Sequence, residues 1–212
     1  MRVAHLSRRV TGGAFDFVSF IESYNANRVE RLDPETGKID EFDVPIENSI
    51  PRKAGTDAVG NVWVGLHEAG KLMKIDYETA KMTIYTPPTE NSAVYSIRGD
   101  LKNNVIWFSE QASDKIARFD PKTQTFTEFA MPYPESDARR IEVDQNNPNR
   151  IWWSGDRSNH MGYIEILDEK KMAELKMGAL LSVAQGSVEP PRLIIITYTP
   201  ASRRDGAPVL GL

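Results

Sequence analysis

A chain of 212 residues, 40% hydrophobic and 26% charged, is long enough to bury an ordinary globular core. Its 26 basic and 30 acidic residues are interspersed and leave a net charge of -4, so no basic stripe faces a nucleic-acid backbone or an anionic membrane surface. The lack of cysteine removes disulfides, thiolate metal sites and cysteine nucleophiles, and no apolar run approaches the ~18 residues that span a bilayer.

At the amino terminus, Met1 to Val10 carries Arg2, Arg8 and Arg9 without the apolar run of roughly 7 to 15 residues that a signal peptide needs, which leaves the compartment open. Residues 1–16 show no Asp-Gly hairpin and are read as a non-repeat segment, so the first repeat is expected to lack an innermost strand. From residue 17 a unit of about 44 residues recurs over 17–45, 52–88, 95–132 and 139–167. Its anchors are Phe20, Trp63, Trp107 and Trp152, spaced by 43, 44 and 45 residues, and an acid stands thirteen positions after each: Asp33, Asp76, Asp120 and Glu165.

Inside each unit, short apolar runs alternate with turn signals, the pattern of closely spaced antiparallel strands. Asp57-Ala58-Val59-Gly60-Asn61 predicts one tight corner, with Asn103 and Asn104 replacing the glycine in the next unit. Asp33-Pro34-Glu35-Thr36-Gly37 and Asp120-Pro121-Lys122-Thr123-Gln124 predict a second, and Asp76 to Ala80 a weaker copy. Runs such as Val105 to Phe108 and Ile151 to Trp153 are apolar on both faces, so their sheets must be covered on both sides. These features predict an all-β fold: a β-propeller of about four four-stranded blades in a partial or open ring, with the anchor aromatics in the core. Residues 168–212 form a divergent carboxy-terminal tail in which Asp168 to Lys176 reads as helical. Arg192 to Thr199 is a candidate strand to pair with the amino-terminal one.

The segments Asn104 to Glu110 (NVIWFSE) and Asp114 to Asp120 (DKIARFD), followed by Pro121-Lys122-Thr123, resemble the repeat of the virginiamycin B lyase family, also called streptogramin lyases. The resemblance runs over roughly residues 17 to 167. It implies opening of a cyclic depsipeptide ester by elimination, with a Mg2+ ion and His and Glu residues at the mouth of the funnel. Loops after the second strand and before the first strand of every blade emerge on one face of a propeller, which nominates Glu22, His67, Glu68, Glu110 and Asp156, together with Arg52, Tyr95 and Arg139. On this reading Glu110 and His67 are catalytic and Glu110 holds the metal. Arg52, Tyr95, Arg139, Asp156 and Glu22 contact a small-molecule or peptide-like ligand.

The Trp-Phe-Ser-Glu form occurs once, since Leu66 and Gly155 take the glutamate place in neighbouring units, and Gln111 and Ala112 stand where a histidine would follow Glu110. Plainer roles compete: His67 as a solvated loop residue, His160 as a surface residue, and Glu110 and Asp156 as partners of Arg52, Arg139 or Arg140. The turn acids cap their turns rather than bind calcium, because the spacing lacks the alternating oxygen ligands of a calcium loop. No phosphate-cradling glycine loop, nucleophile elbow or HExxH pair is present. A non-catalytic propeller that binds or scaffolds, as one portion of a larger protein, is the alternative to the lyase.

Overall fold

The computed structural model describes residues 3–11, 14–23, 26–33, 35–131, 134–156, 160–167 and 193–198, with side chains from residue 26 to residue 167 within those ranges. Every strand in them belongs to one of four antiparallel sheets. The first holds β1 (Val3–Thr11), β2 (Ala14–Ser23), β3 (Arg28–Leu32) and β4 (Ile39–Asp43). The second holds β5 (Pro51–Thr56), β6 (Val62–Leu66), β7 (Lys71–Ile75) and β8 (Met82–Tyr85). The third holds β9 (Val94–Asp100), β10 (Val105–Glu110), β11 (Lys115–Asp120) and β12 (Thr125–Ala130), and the fourth β13 (Ala138–Val143), β14 (Arg150–Gly155), β15 (Met161–Ile166) and β16 (Leu193–Tyr198). Each sheet is a meander with strands paired in chain order.

The corners form where the acids stand. Asp57 Oδ1 accepts the N–H groups of Val59 (3.0 Å) and Asn61 (2.9 Å), while its Oδ2 takes Asn61 Nδ2–H (2.9 Å) and the indole N–H of Trp63 (3.0 Å). Asp33 Oδ1 accepts Glu35 and Thr36 N–H in the other corner class, and these bonds hold its carboxyl below the usual range. Capping therefore accounts for the acids. Because Asp57 is buried and satisfies four donors, Asp57→Ala is expected to cost about 2 kcal/mol, read from the urea midpoint.

Each apolar strand feeds two cores. Val62, Val64 and Leu66 of β6 join Val29, Met73 and Ile75 between the first and second sheets, whereas Trp63 turns the other way to join Leu72, Ile97, Phe108 and Phe119. Trp107 then packs with Ile116, Ile141, Ile151 and Trp153 between the third and fourth. Period-two alternation makes this possible: successive side chains leave a strand on opposite faces. The inner strands β5 and β9 press together so closely that a Cβ at Gly99 would stand 1.8 Å from the Thr56 carbonyl oxygen.

The ends differ from the middle. In β3 and β4, the face turned away from Val29 carries Arg28, hydrogen-bonded to Asp43 (2.6 Å) and Glu41 (2.9 Å), with Glu30 beside them. At the other end Trp152 is 38% exposed, against 0% for Trp63 and 1% for Trp107, because no sheet among the described residues covers its face. Among the described residues the first and fourth sheets share no extended contact, so the four make an open arc.

Three expectations change. The first unit does have an inner strand, β1, which pairs with β2 from Val3 to Thr11 although the sequence between them has no Asp-Gly corner. Leu193–Tyr198 pairs with β15, Ile164 facing Ile195, rather than with the amino-terminal strand, and so takes the outer place in its own sheet that β4, β8 and β12 take in the others. Trp152 lies at an open face instead of in the core. The helical reading of Asp168 to Lys176 and the side chains of Phe20 and Glu22 lie outside the described residues. Among the described residues no helix is long and apolar enough to cross a membrane.

Candidate functional site

Pairing within the second, third and fourth sheets slips by one residue at one place, the start of the inner strand: between Pro51 and Ala54, opposite Phe108 to Glu110, and between Ala138 and Arg140. Each slip is a bulge, and bulges re-aim side chains. Arg52, Tyr95 and Arg139 sit in these three bulges, one per sheet. A recurring loop precedes each bulge: Asn48 and Ile50, Asn91 and Ala93, and Glu135 and Asp137 have φ between +45° and +55°, flanking the buried Ser49, Ser92 and Ser136. A positive φ at the β-branched Ile50 is strained, and such strain concentrates at ligand-binding loops.

The bulges bring the predicted substrate-binding residues together. Tyr95 lies between two guanidiniums, 5.8 Å from Arg52 and 5.4 Å from Arg139. Arg139 Nε donates to the Tyr95 hydroxyl oxygen at 3.1 Å, and its Nη1 donates to Asp156. These bonds, the Tyr95 one foremost, raise the proton affinity of Arg139. The His67 imidazole meets Tyr95 edge-on, 5.8 Å between centroids. Four side chains from three consecutive sheets thus share one surface.

His67 is no solvated loop residue. Its side chain is 18% exposed, with Nδ1 2.9 Å from Glu68 Oε1 and Nε2 3.1 Å from Gln111 Oε1. Gln111 Nε2 in turn donates to Asp137 Oδ1, and the Asp137 carbonyl accepts Asp156 N–H at 3.1 Å. A polar chain therefore crosses the arc from the second sheet to the fourth.

Glu110 does not line the mouth. It shares the parity of Ile106 and Phe108, which turns it into the joint between the second and third sheets, where it is 0% exposed. None of Arg52, Arg139 or Arg140 pairs with it; Ser113 Oγ is 3.4 Å from Oε2, and Oε1 is unpartnered. Burial pushes its carboxyl up to about 7, with the charge of Glu128 adding to the rise and Lys115, Ser113 and Ser92 opposing it. Lys115 is committed to Glu128 and Thr89, 2.6 Å from each. One buried carboxyl does not fit Mg2+, which takes several oxygen ligands. Among the described residues no group of three or more His, Asp or Glu side chains could hold a metal ion.

Gln111, Asp137 and the three buried serines escaped the reading of the sequence. The signal was present: Glu-Asn-Ser recurs at 47–49 and 90–92, and Glu-Ser at 135–136. Without chemistry in those residue types, the recurrence reads as turn composition.

Four meanders set side by side with their inner strands adjacent, and a mouth built from bulges at equivalent positions, define a partial β-propeller. The virginiamycin B lyase family model matches residues 10–182. The chain belongs to the virginiamycin B lyase family. A virginiamycin B lyase from Staphylococcus aureus superposes with a TM-score of 0.64 at 24% identity, covering 76% of this chain and 52% of that one. A streptogramin B lyase structure gives 0.64 at 26% identity, covering 70% and 48%. The chain thus spans about half the length of these solved lyases. Separately, a stretch of 45 residues, 21% of the chain, is 60% identical to a probable cytosol aminopeptidase of Pseudomonas aeruginosa, of which it covers 9%.

Proposed function

We propose that this arc is the ligand-binding part of a virginiamycin B lyase-like propeller, with a cyclic, peptide-like small molecule as its ligand. The observation that carries this reading is the convergence of Arg52, Tyr95 and Arg139 from three matched bulges, with His67 against the same ring. The guanidiniums of Arg52 and Arg139, held against the buried Tyr95 ring, offer donors for ester or amide carbonyls, the placed polar groups that small-molecule sites use. A relative supports the ligand class: a catalytically inactive virginiamycin B lyase from Staphylococcus aureus is solved with quinupristin. Titration calorimetry with quinupristin tests the reading. Tyr95→Ala is expected to weaken binding about tenfold, a loss of roughly 1.4 kcal/mol, with the circular dichroism spectrum unchanged. Wild-type affinity in that variant removes Tyr95, and the placing of the two guanidiniums by it, from the proposal.

Ester elimination is the second reading, and the setting of His67 favours it. A base taking the proton α to an ester carbonyl works best when a second group orients it, as Glu68 does at Nδ1. Here Nε2 faces the Gln111 carbonyl oxygen, so Gln111 has to yield before that nitrogen can take a proton. Binding is for this reason the better supported of the two. Ring opening of quinupristin followed by chromatography separates them: turnover that disappears in His67→Ala establishes the elimination.

A further inference from the structure

One repeat position supplies the middle of the mouth. His67, Gln111 and Asp156 each stand directly after the second strand of their sheet. Each donates its backbone N–H to the left-handed residue that precedes the inner strand of the same sheet: His67 to Ile50, Gln111 to Ala93 and Asp156 to Asp137, all at 3.1 Å. Two of the three side chains then reach across to the next sheet, His67 Nε2 to Gln111 Oε1 (3.1 Å) and Gln111 Nε2 to Asp137 Oδ1.

Donors and acceptors must match along this row. A carboxylate only accepts, so Asp137, buried at the far end, requires the NH2 side of the Gln111 amide. That turns the carbonyl side of Gln111 toward the ring, and a carbonyl also only accepts, so the proton between the two residues belongs to His67 Nε2. On the other side of the ring Glu68 Oε1, 2.9 Å away, asks for a proton on Nδ1. A neutral imidazole has one N–H and cannot answer both. The two demands are unequal: the Glu68 side chain is 54% exposed and can exchange the ring for water, whereas Gln111 is held at its backbone by Ala93 and at its amide by Asp137.

We propose that Gln111 and Asp137 are positioning residues that keep the proton of the neutral His67 ring on Nε2, so that His67 meets a ligand as a hydrogen-bond donor. A ligand carbonyl oxygen takes the place of the Gln111 carbonyl oxygen, one acceptor for another, and no proton moves. The guanidiniums of Arg52 and Arg139 offer donors beside it, so the mouth selects a ligand rich in carbonyl acceptors; this consequence rests on the reading of the mouth as a ligand site. The lone pair of the neutral ring lies on Nδ1, against Glu68, and an ester elimination here draws its base from somewhere other than Nε2.

Long-range proton–nitrogen correlation spectra of the full chain labelled with 15N-histidine, recorded without ligand at a pH where imidazole is neutral, read the tautomer, with His67→Gln assigning the signal. The Nε2–H pattern is expected for His67. Gln111→Leu keeps the bulk and removes the acceptor, leaving Glu68 as the partner that decides, and is expected to turn the pattern to Nδ1–H. Asp137→Asn allows the Gln111 amide to face either way and is expected to give a mixture of the two; asparagine tolerates the left-handed backbone at this position (φ +45°). An Nδ1–H pattern in the wild type overturns the proposal, and so does an Nε2–H pattern that survives unchanged in Gln111→Leu. Because the spectra are taken without ligand, failure here is told apart from a failure of quinupristin to bind.

Discussion

Trp63→Ala is expected to remove about 3 to 5 kcal/mol of stability, whereas Trp152→Ala, at the equivalent repeat position, should cost less than about 1 kcal/mol. Trp63 is fully buried and packs on Tyr85 (5.6 Å) and Phe119 (5.5 Å). Its indole N–H is also one of two donors to Asp57 Oδ2, so truncation opens a cavity and leaves that buried oxygen with Asn61 alone. Trp152 meets Tyr163 at 5.1 Å but has solvent on its open side. Urea unfolding of the two variants reads the difference. Equal losses would contradict the side-by-side placement of the sheets, because that placement is what makes identical residues unequal.

Glu110→Gln should convert a pH-dependent fold into a flatter one. In the unfolded chain this carboxyl titrates near the ordinary value of 4.5, and in the fold it is pushed up to about 7, foremost by burial. Between these values the folded state keeps a proton that the unfolded state releases, so stability falls as pH rises through that window and levels off above it. The shift corresponds to about 3 kcal/mol. Glutamine has the shape without the charge. The variant is therefore expected to exceed wild type by about 2 to 3 kcal/mol at a pH of about 8, with the gain gone at a pH of about 4. A gain of equal size at both pH values would show that burial of the charge is not its source.

The fold was legible in the sequence because aromatic anchors and corner acids recur at a fixed period. The aromatics must be covered on both faces and the acids must cap, so residue type and spacing leave few alternatives. The same logic misplaced Glu110. The repeat assigns its strand end, but a one-residue bulge in β9 shifts the pairing beside it, and side-chain parity then sends the carboxyl between sheets rather than outward. Arg52, Tyr95 and Arg139 were found because they share an offset from the corner acids. Gln111 and Asp137 were not, since their role comes from the partners that three sheets bring to them and not from any property of their own. The inner strand β1 was missed for a related reason: its connection to β2 carries none of the corner chemistry used elsewhere.

The unlike ends of the arc bear on how copies of the chain behave when crowded. A row of repeats with matching apolar ends would add copy to copy without limit, producing fibres. Here the aromatic end, with Trp152 and Met161 open, would have to meet the ionic lattice of Arg28, Glu41 and Asp43 on the next molecule, and stripping water from those charges opposes growth in that direction.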